Sequence, residues 1–397
     1  MNRLKFVKFK DILSMFLMAL AFIPAMIAKI FIRDFWLVCE DKNEARDNGY
    51  WFFRYLRLYR PEQKCAYAIN KKSVDYAKVK DLGKVISYGS LSHWFWYFVA
   101  DKNISSQKGG KPNTAVCYLL EVVFKLRKNN RVFLQHGVIV SDLKWLYYNV
   151  TNMRMFCTTT QPEYNFLVER FGYPEGYIQL TGLCRYDNLN DFTVNKKQIL
   201  LMPTWRQWIA KGVETKDIEG TNEFTQTNYF KKWNEFLTSK KLDELLKKYD
   251  VNLLFYPHRN MQKYLDNFKI TSENIIVGNW QKYDIQQVLK ESALMITDYS
   301  SVFSDFAYMK KPIVFYQFDE KEFRAHQYQE GYFDYHSNPL GDWAGKLDDA
   351  LKLIEEYLKT DYKHKHLKDL ENYFKYNDNK NCERTYFAIK QINKKKK

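Results

Sequence analysis

Short apolar runs, each ending in polar residues, alternate along this chain with stretches of helical periodicity, and that alternation restricts the fold more than any other feature. Cys65–Ile69, Val85–Tyr88 and Val132–Gln135 read as short buried strands, with helical stretches such as Ala115–Arg127 between them. A strand buried on both faces has no polar side to show, so continuous apolar runs separated by helices indicate parallel βαβ units. The pattern restarts at Ile199–Met202. It continues through a helix at Phe230–Lys248, a strand at Asn252–Tyr256, a helix at Ile285–Ser292, strands at Leu294–Thr297 and Pro312–Tyr316, and a helix at Ser301–Met309 between them. The polar stretch Asn188–Lys197 separates the two series. The expected architecture is α/β, with two Rossmann-like domains facing a cleft. The expected boundaries are 1–60 for an N-terminal membrane-associating helical segment, 61–190 for the first domain and 191–397 for the second. The second includes helices at Leu347–Leu358 and Asn381–Ile392 and the tail Lys394–Lys397.

The amino-terminal segment is the least ordinary part of the chain. Ile12 to Ala28 is apolar except for Ser14 and Pro24, with Arg3, Lys5, Lys8 and Lys10 before it and Lys29 and Arg33 after it. A secretory signal would exit through small residues, and this run exits through Lys29-Ile-Phe-Ile-Arg33. A spanning helix needs about 20 apolar residues, so the run sits at the lower limit. A segment that enters one leaflet, bends near Pro24 and returns fits better, its cationic flanks on acidic headgroups. Lys and Arg number 62 against 46 Asp and Glu, and the net charge of +16 suggests an anionic partner. Six scattered cysteines form no CxxC pair and no Cys/His cluster, which excludes a recognisable zinc or iron–sulfur site and favours reduced thiols in a cytosolic body.

Open parallel sheets bind ligands beyond the carboxyl ends of their strands, so the residues there carry the functional expectation. Leu134-Gln-His-Gly137 delivers His136, a side chain suited to moving a proton near neutral pH, followed by Gly137, which lets a ligand approach the backbone. Thr204 and Arg206 follow the strand ending at Met202. Thr204 can donate a hydrogen bond, and Arg206 can make a forked contact to phosphate or carboxylate. Tyr256-Pro-His-Arg259 presents His258 on a stiff turn. Thr297-Asp-Tyr-Ser-Ser301 places Ser300 and Ser301 where a helix begins, a position suited to phosphate. Asp305, one turn further, can accept from a sugar hydroxyl. Leu180-Thr-Gly-Leu-Cys-Arg185 adds Arg185. Each motif alone is also compatible with an ordinary turn, cap or surface pair. Asp298 is weighed as a cation ligand and set aside, because no acidic cluster accompanies it.

In this order, Gln135-His-Gly137, Gly182-Leu-Cys-Arg-Tyr-Asp187, Pro203-Thr-Trp-Arg206, Pro257-His258 and Thr297-Asp-Tyr-Ser-Ser-Val-Phe-Ser-Asp305 resemble the CDP-glycerol glycerophosphotransferase family of teichoic acid synthesis. Ala45-Arg-Asp-Asn-Gly-Tyr50, Lys311-Pro312 and Glu330-Gly-Tyr-Phe-Asp334 continue the resemblance. It implies a GT-B-type fold, peripheral or monotopic attachment at the cytoplasmic face of a bacterial membrane, and transfer of a polyol phosphate from a CDP-polyol to a lipid-linked anionic acceptor, releasing CMP. It implies His136 and His258 as catalytic residues. Ser300, Ser301 and Asp305 would hold the donor, with Arg185, Thr204 and Trp205 lining its site. No cofactor or metal is implied. A GT-B glycosyltransferase using a nucleotide-sugar is the nearest alternative. A basic nucleic-acid-binding protein would require Lys/Arg stripes interleaved with aromatics, which the sequence lacks, and a catalytically silent scaffold is a third alternative.

Overall fold

Seven short strands, every neighbouring pair parallel, build the first sheet: β1 (Trp36–Cys39), β2 (Cys65–Ile69), β3 (Val85–Ser87), β4 (Lys102–Ser105), β5 (Arg131–Phe133), β6 (Met155–Thr158) and β7 (Ile178–Leu180), in the order β3-β2-β1-β4-β5-β6-β7. The second sheet has six parallel strands: β8 (Asn195–Met202), β9 (Asn252–Phe255), β10 (Ile275–Val277), β11 (Ser292–Thr297), β12 (Ile313–Tyr316) and β13 (Asp342–Ala344), in the order β10-β9-β8-β11-β12-β13. This computed structural model describes residues 9–128, 130–214, 221–337 and 340–392; the tail Lys394–Lys397 and the residues Arg3, Lys5 and Lys8 lie outside them. The chain divides into one unit of Met1–Val138, Lys144–Asn188 and Lys375–Lys397 and a second of Ile139–Leu143 and Leu189–Phe374.

The strands form where the sequence is continuously apolar. Each of β1, β2, β6, β11 and β12 is buried along its whole length, as a sheet covered by helices on both faces demands. In both sheets the strand order reverses once, between β1 and β4 in the first and between β8 and β11 in the second. Polar loops diverge at such a point and leave a crevice at the carboxyl edge.

Three differences from the expected organisation have clear causes. β1 lies inside the stretch assigned to the N-terminal segment, yet it is the strand at which the first sheet reverses; five buried residues between Asp34 and Glu40 are too short a run to announce themselves. The helix Asn381–Gln391, expected in the second domain, belongs to the first unit. The Asp187 carboxylate accepts from the Asn381 and Cys382 amides at 2.8 Å and seats its first turn. Gly182 is required there: its φ is +79°, and a Cβ would lie 1.8 Å from the Asn381 Oδ1. The single helix expected over Phe230–Lys248 is two, Asn228–Leu237 and Lys240–Lys248, because the Ser239 hydroxyl caps the second by accepting from the Leu242 amide at 3.3 Å.

Helix α1 (Phe9–Phe31) runs unbroken through Pro24, so the chain does not turn back there. One side of it, Asp11, Ser14, Ala21 and Ala25, is buried, and Ala21 and Ala25 join a core cluster with Trp94, Tyr97 and Phe98 of the helix Leu91–Val99. The Ser14 hydroxyl accepts from Trp94 Nε1 at 3.1 Å, and Phe22 meets Phe98 edge-on. The other side leaves Ile12, Phe16, Leu20, Ile23, Ile27 and Ile30 about half or more exposed, Ile23 at 68%. By length and composition α1 is able to cross a bilayer. All six cysteines are buried free thiols.

Candidate functional site

In the first unit, the loop after β5 aims His136. Gln135 has φ of +62°, a left-handed conformation that costs a residue with a Cβ roughly 1–2 kcal/mol. Contacts from three distant segments hold it. Its carbonyl accepts from Asn48 Nδ2 at 2.8 Å; its side-chain amide donates to Glu163 Oε1 at 3.2 Å and to the Cys157 carbonyl. The outcome is that Leu134, Gln135, Gly137 and Val138 are buried while His136 alone is exposed. Gly137 therefore lies beneath the turn, and the positive φ expected of a glycine falls on Gln135 instead.

The Ser106 carbonyl, just after β4, lies beside the His136 ring. Although the ring reaches solvent, the surrounding protein desolvates it and lowers its pKa below the ordinary 6.5; nearby Asp47 and the Ser106 carbonyl oppose the shift, and Arg185 assists it. A lowered pKa favours the neutral ring at pH 7, and a neutral imidazole carries a lone pair on one of its nitrogens.

Asp47 and Asn48, which lie within the family-like Ala45–Tyr50 segment, open helix α2 (Asn48–Tyr59). The Asp47 carboxylate accepts from Arg185 Nη1 at 2.7 Å, and the Asn48 Oδ1 accepts from the Arg185 amide at 2.9 Å. Glu40, wholly buried, accepts from the amides of Arg46, Asp47 and Tyr50 and fixes the start of the helix. Burial first, and then the Asp47 charge, push its pKa up to about 8. Arg185 thus belongs to the first unit, 5% exposed and paired with Asp47, and not with Asp187.

In the second unit, three strand ends meet at the carboxyl edge. The Thr204 amide, just after β8, donates to Asp298 Oδ1 at 2.7 Å, just after β11. The His258 amide, after β9, donates to the Pro203 carbonyl at 3.2 Å, and its ring stacks on Trp205 with centroids 6.0 Å apart. Half-buried His258 accepts at Nδ1 from the Asn260 amide at 3.3 Å, so the neutral ring carries its proton on Nε2 and is a donor there. Thr204 is 7% exposed, and its hydroxyl has no hydrogen-bond partner among the described residues; the same holds for the buried Tyr299 hydroxyl. A buried hydroxyl at a strand end with no protein partner is free to bond a ligand there.

Three expectations are corrected. Arg206 is wholly buried and makes no fork to a ligand: its guanidinium donates to Asp298 Oδ2 at 2.7 Å, to Asp319 Oδ2 at 2.8 Å and Oδ1 at 3.0 Å, and to the Thr204 carbonyl. The same pairing uses up Asp298. Asp305 is 1% exposed and offers almost no surface to a sugar hydroxyl. Ser300 and Ser301 do not cap the following helix, Phe303–Tyr308; they form a half-buried turn ahead of it, their carbonyls accepting from the Phe303 and Ser304 amides. The amides of Ser300, Ser301 and Val302 and both serine hydroxyls donate no hydrogen bond among the described residues. Among those residues no group of three His, Cys, Asp or Glu has the arrangement to hold a metal.

Comparison with known proteins accords with this geometry. The chain is 30% identical over 372 residues to the minor teichoic acid biosynthesis protein GgaB of Bacillus subtilis, covering 91% of this chain and 40% of GgaB. It is 25% identical over 243 residues to the teichoic acid ribitol-phosphate polymerase TarK of Staphylococcus aureus, covering 57% of this chain and 43% of TarK. The chain thus spans less than half the length of either. A solved structure of the wall teichoic acid polymerase TagF superposes with a TM-score of 0.67 at 15% identity, over 96% of this chain and 93% of that one, which places the fold in the GT-B-type class. The profile of the CDP-glycerol:poly(glycerophosphate) glycerophosphotransferase family matches residues 32–391, and the chain belongs to that family.

Proposed function

We propose that this chain transfers a polyol phosphate, glycerol phosphate first, from a CDP-polyol to a hydroxyl of a lipid-linked acceptor, in synthesis of teichoic acid or a related surface polymer. The acceptor oxygen attacks the β-phosphorus of the donor; its bond to phosphorus forms as the bridging anhydride bond breaks, CMP leaves, and the hydroxyl proton passes to a ring nitrogen of His136. His258 stabilises the charge on the transferred phosphate, and the Ser300–Val302 amides with the Thr204 hydroxyl hold the donor. Phosphoryl transfer asks a protein mainly for positioning and charge stabilisation, which these groups supply. The observation that carries the reading is that each unit sets an imidazole on the loop after a parallel strand: His136 exposed after β5, and His258 after β9, stacked on Trp205 and accepting at Nδ1 from the Asn260 amide. That a TagF structure was obtained with CDPG supports the choice of donor. The enzyme would work at the cytoplasmic face of the membrane, held by α1.

The test is CMP release from CDP-glycerol and from CDP-ribitol with a lipid-linked acceptor. His136→Ala should lower kcat by about 10²–10⁴ while donor binding survives. His258→Ala should lower kcat/KM by roughly 10². Because the His136 pKa is lowered, the acid limb of the wild-type kcat/KM profile should fall below pH 6.5, its base persisting where an ordinary histidine would be protonated. Near-normal turnover in His136→Ala would refute its role.

A further inference from the structure

A cavity of about 470 Å³ opens in the first unit; His136 is not in its lining, and no step of the proposed reaction uses it. It lies where the sheet order reverses. Lys42 reaches it from the segment after β1, Pro112 to Ala115 from the segment after β4, and Tyr88 and Gly89 from the end of β3. Its remaining wall is α1, through Lys10, Asp11, Leu13, Ser14 and Leu17.

The lining is divided by chemistry. Leu13 and Leu17 make one side apolar, and Leu13, 57% exposed, belongs to the same outward apolar side of α1 as Phe16 and Leu20. Lys10 and Lys42 make the other side cationic. Neither ammonium has an ion pair or hydrogen bond among the described residues, so neither charge is spent. The carboxylate in the lining is occupied: Asp11 is 4% exposed and accepts from Asn113 Nδ2 at 2.7 Å. The Ser14 hydroxyl is likewise taken by Trp94. A crevice with an apolar wall continuous with an exposed apolar helix face, and two unspent cations at the sheet edge, is complementary to an anion carried on a hydrocarbon chain.

We propose that this crevice seats the lipid-proximal phosphate of the membrane-bound acceptor, with Lys42 and Lys10 against the phosphate and the first methylenes along Leu13 and Leu17. The assignment rests on the transferase reading for the identity of the lipid, and on the crevice alone for its chemistry.

The test is calorimetric titration of the full chain with dihexanoylphosphatidic acid below its micelle concentration. The comparison ligands are dihexanoylphosphatidylcholine, which keeps the chains without net charge, and glycerol phosphate, which keeps the charge without chains. Wild type should bind the first at least about tenfold more tightly than either of the others. Lys42→Glu should remove that preference, and so should Ala115→Trp, which fills the cavity. Both variants should keep the wild-type KM for CDP-glycerol, while KM for the lipid-linked acceptor rises by about tenfold. Equal binding of the three probes, or binding indifferent to Lys42→Glu, overturns the proposal. Lost binding with unchanged acceptor KM also overturns it, because the crevice would then hold bulk anionic lipid. The titration needs no turnover. A wild-type chain that releases no CMP sinks the transferase reading, whereas one that releases CMP yet binds all three probes alike sinks only the crevice.

Discussion

Asn48 joins two strand-end segments through a single side chain, donating to the Gln135 carbonyl and accepting from the Arg185 amide, and it is wholly buried. A carboxamide does both at once, its NH2 donating and its oxygen accepting. Asn48→Asp keeps the acceptor for Arg185 but sets a carboxylate oxygen against the Gln135 carbonyl, leaving the left-handed turn unsupported. The expected result is a fall in kcat of about tenfold with donor KM little changed, and an acid limb displaced to higher pH, since a new negative charge near His136 favours its protonated form. Asn48→Ala removes both hydrogen bonds without adding charge and should lower kcat with no upward displacement of the limb. A pH–rate profile of both variants decides the point: a limb unmoved in Asn48→Asp would reduce Asn48 to a structural residue. At this scale the sequence pointed to His136 and His258, because each follows an apolar run. It did not point to Asn48, whose partner Gln135 is 87 residues away.

Among the elements, the strand ends of the second unit separate residues that hold the fold from residues left for a ligand. Arg206 and Thr204 stand two apart on the same loop, yet the guanidinium is fully paired with Asp298 and Asp319 and the hydroxyl is orphaned. Removing Arg206 strands two buried carboxylates, so Arg206→Leu should destabilise the chain by about 3–5 kcal/mol in urea unfolding. Thr204→Val removes an unsatisfied buried hydroxyl. It should leave stability unchanged or slightly raised while weakening CDP-glycerol binding, by about 1 kcal/mol in a titration. If Thr204→Val were the less stable of the two, the division of roles would be wrong. The sequence presented both as candidate ligand contacts, since an arginine after a strand looks the same whether its partners are phosphates or carboxylates. Asp319, which decides the matter, lies 113 residues further on.

For the molecule as a whole, the proposed membrane attachment falls to helix α1. One side is consumed by the helix Leu91–Val99 and the other presents Ile12, Phe16, Leu20, Ile23 and Ile27 outward, a stripe too apolar to be solvated without cost. With the +16 charge, this side should lie on anionic lipid. Phe16→Asp with Ile23→Asp should cut co-flotation with anionic vesicles at least about tenfold and leave donor KM intact, and wild-type binding should weaken as salt is raised. Undiminished flotation of the double variant would exclude α1 as the anchor.

By itself the sequence determined the two series of parallel strands, the polar residues at their carboxyl ends and the apolar character of α1, because burying a short apolar run depends on the run itself. Tertiary structure alone decided that β1 completes the first sheet, that Asn381–Gln391 returns to the first unit, that α1 passes straight through Pro24, and which strand-end side chains stay open. Those outcomes turn on hydrogen-bond and packing partners far away in the chain. A charged or hydroxyl group is available to a substrate only when no such partner has already claimed it.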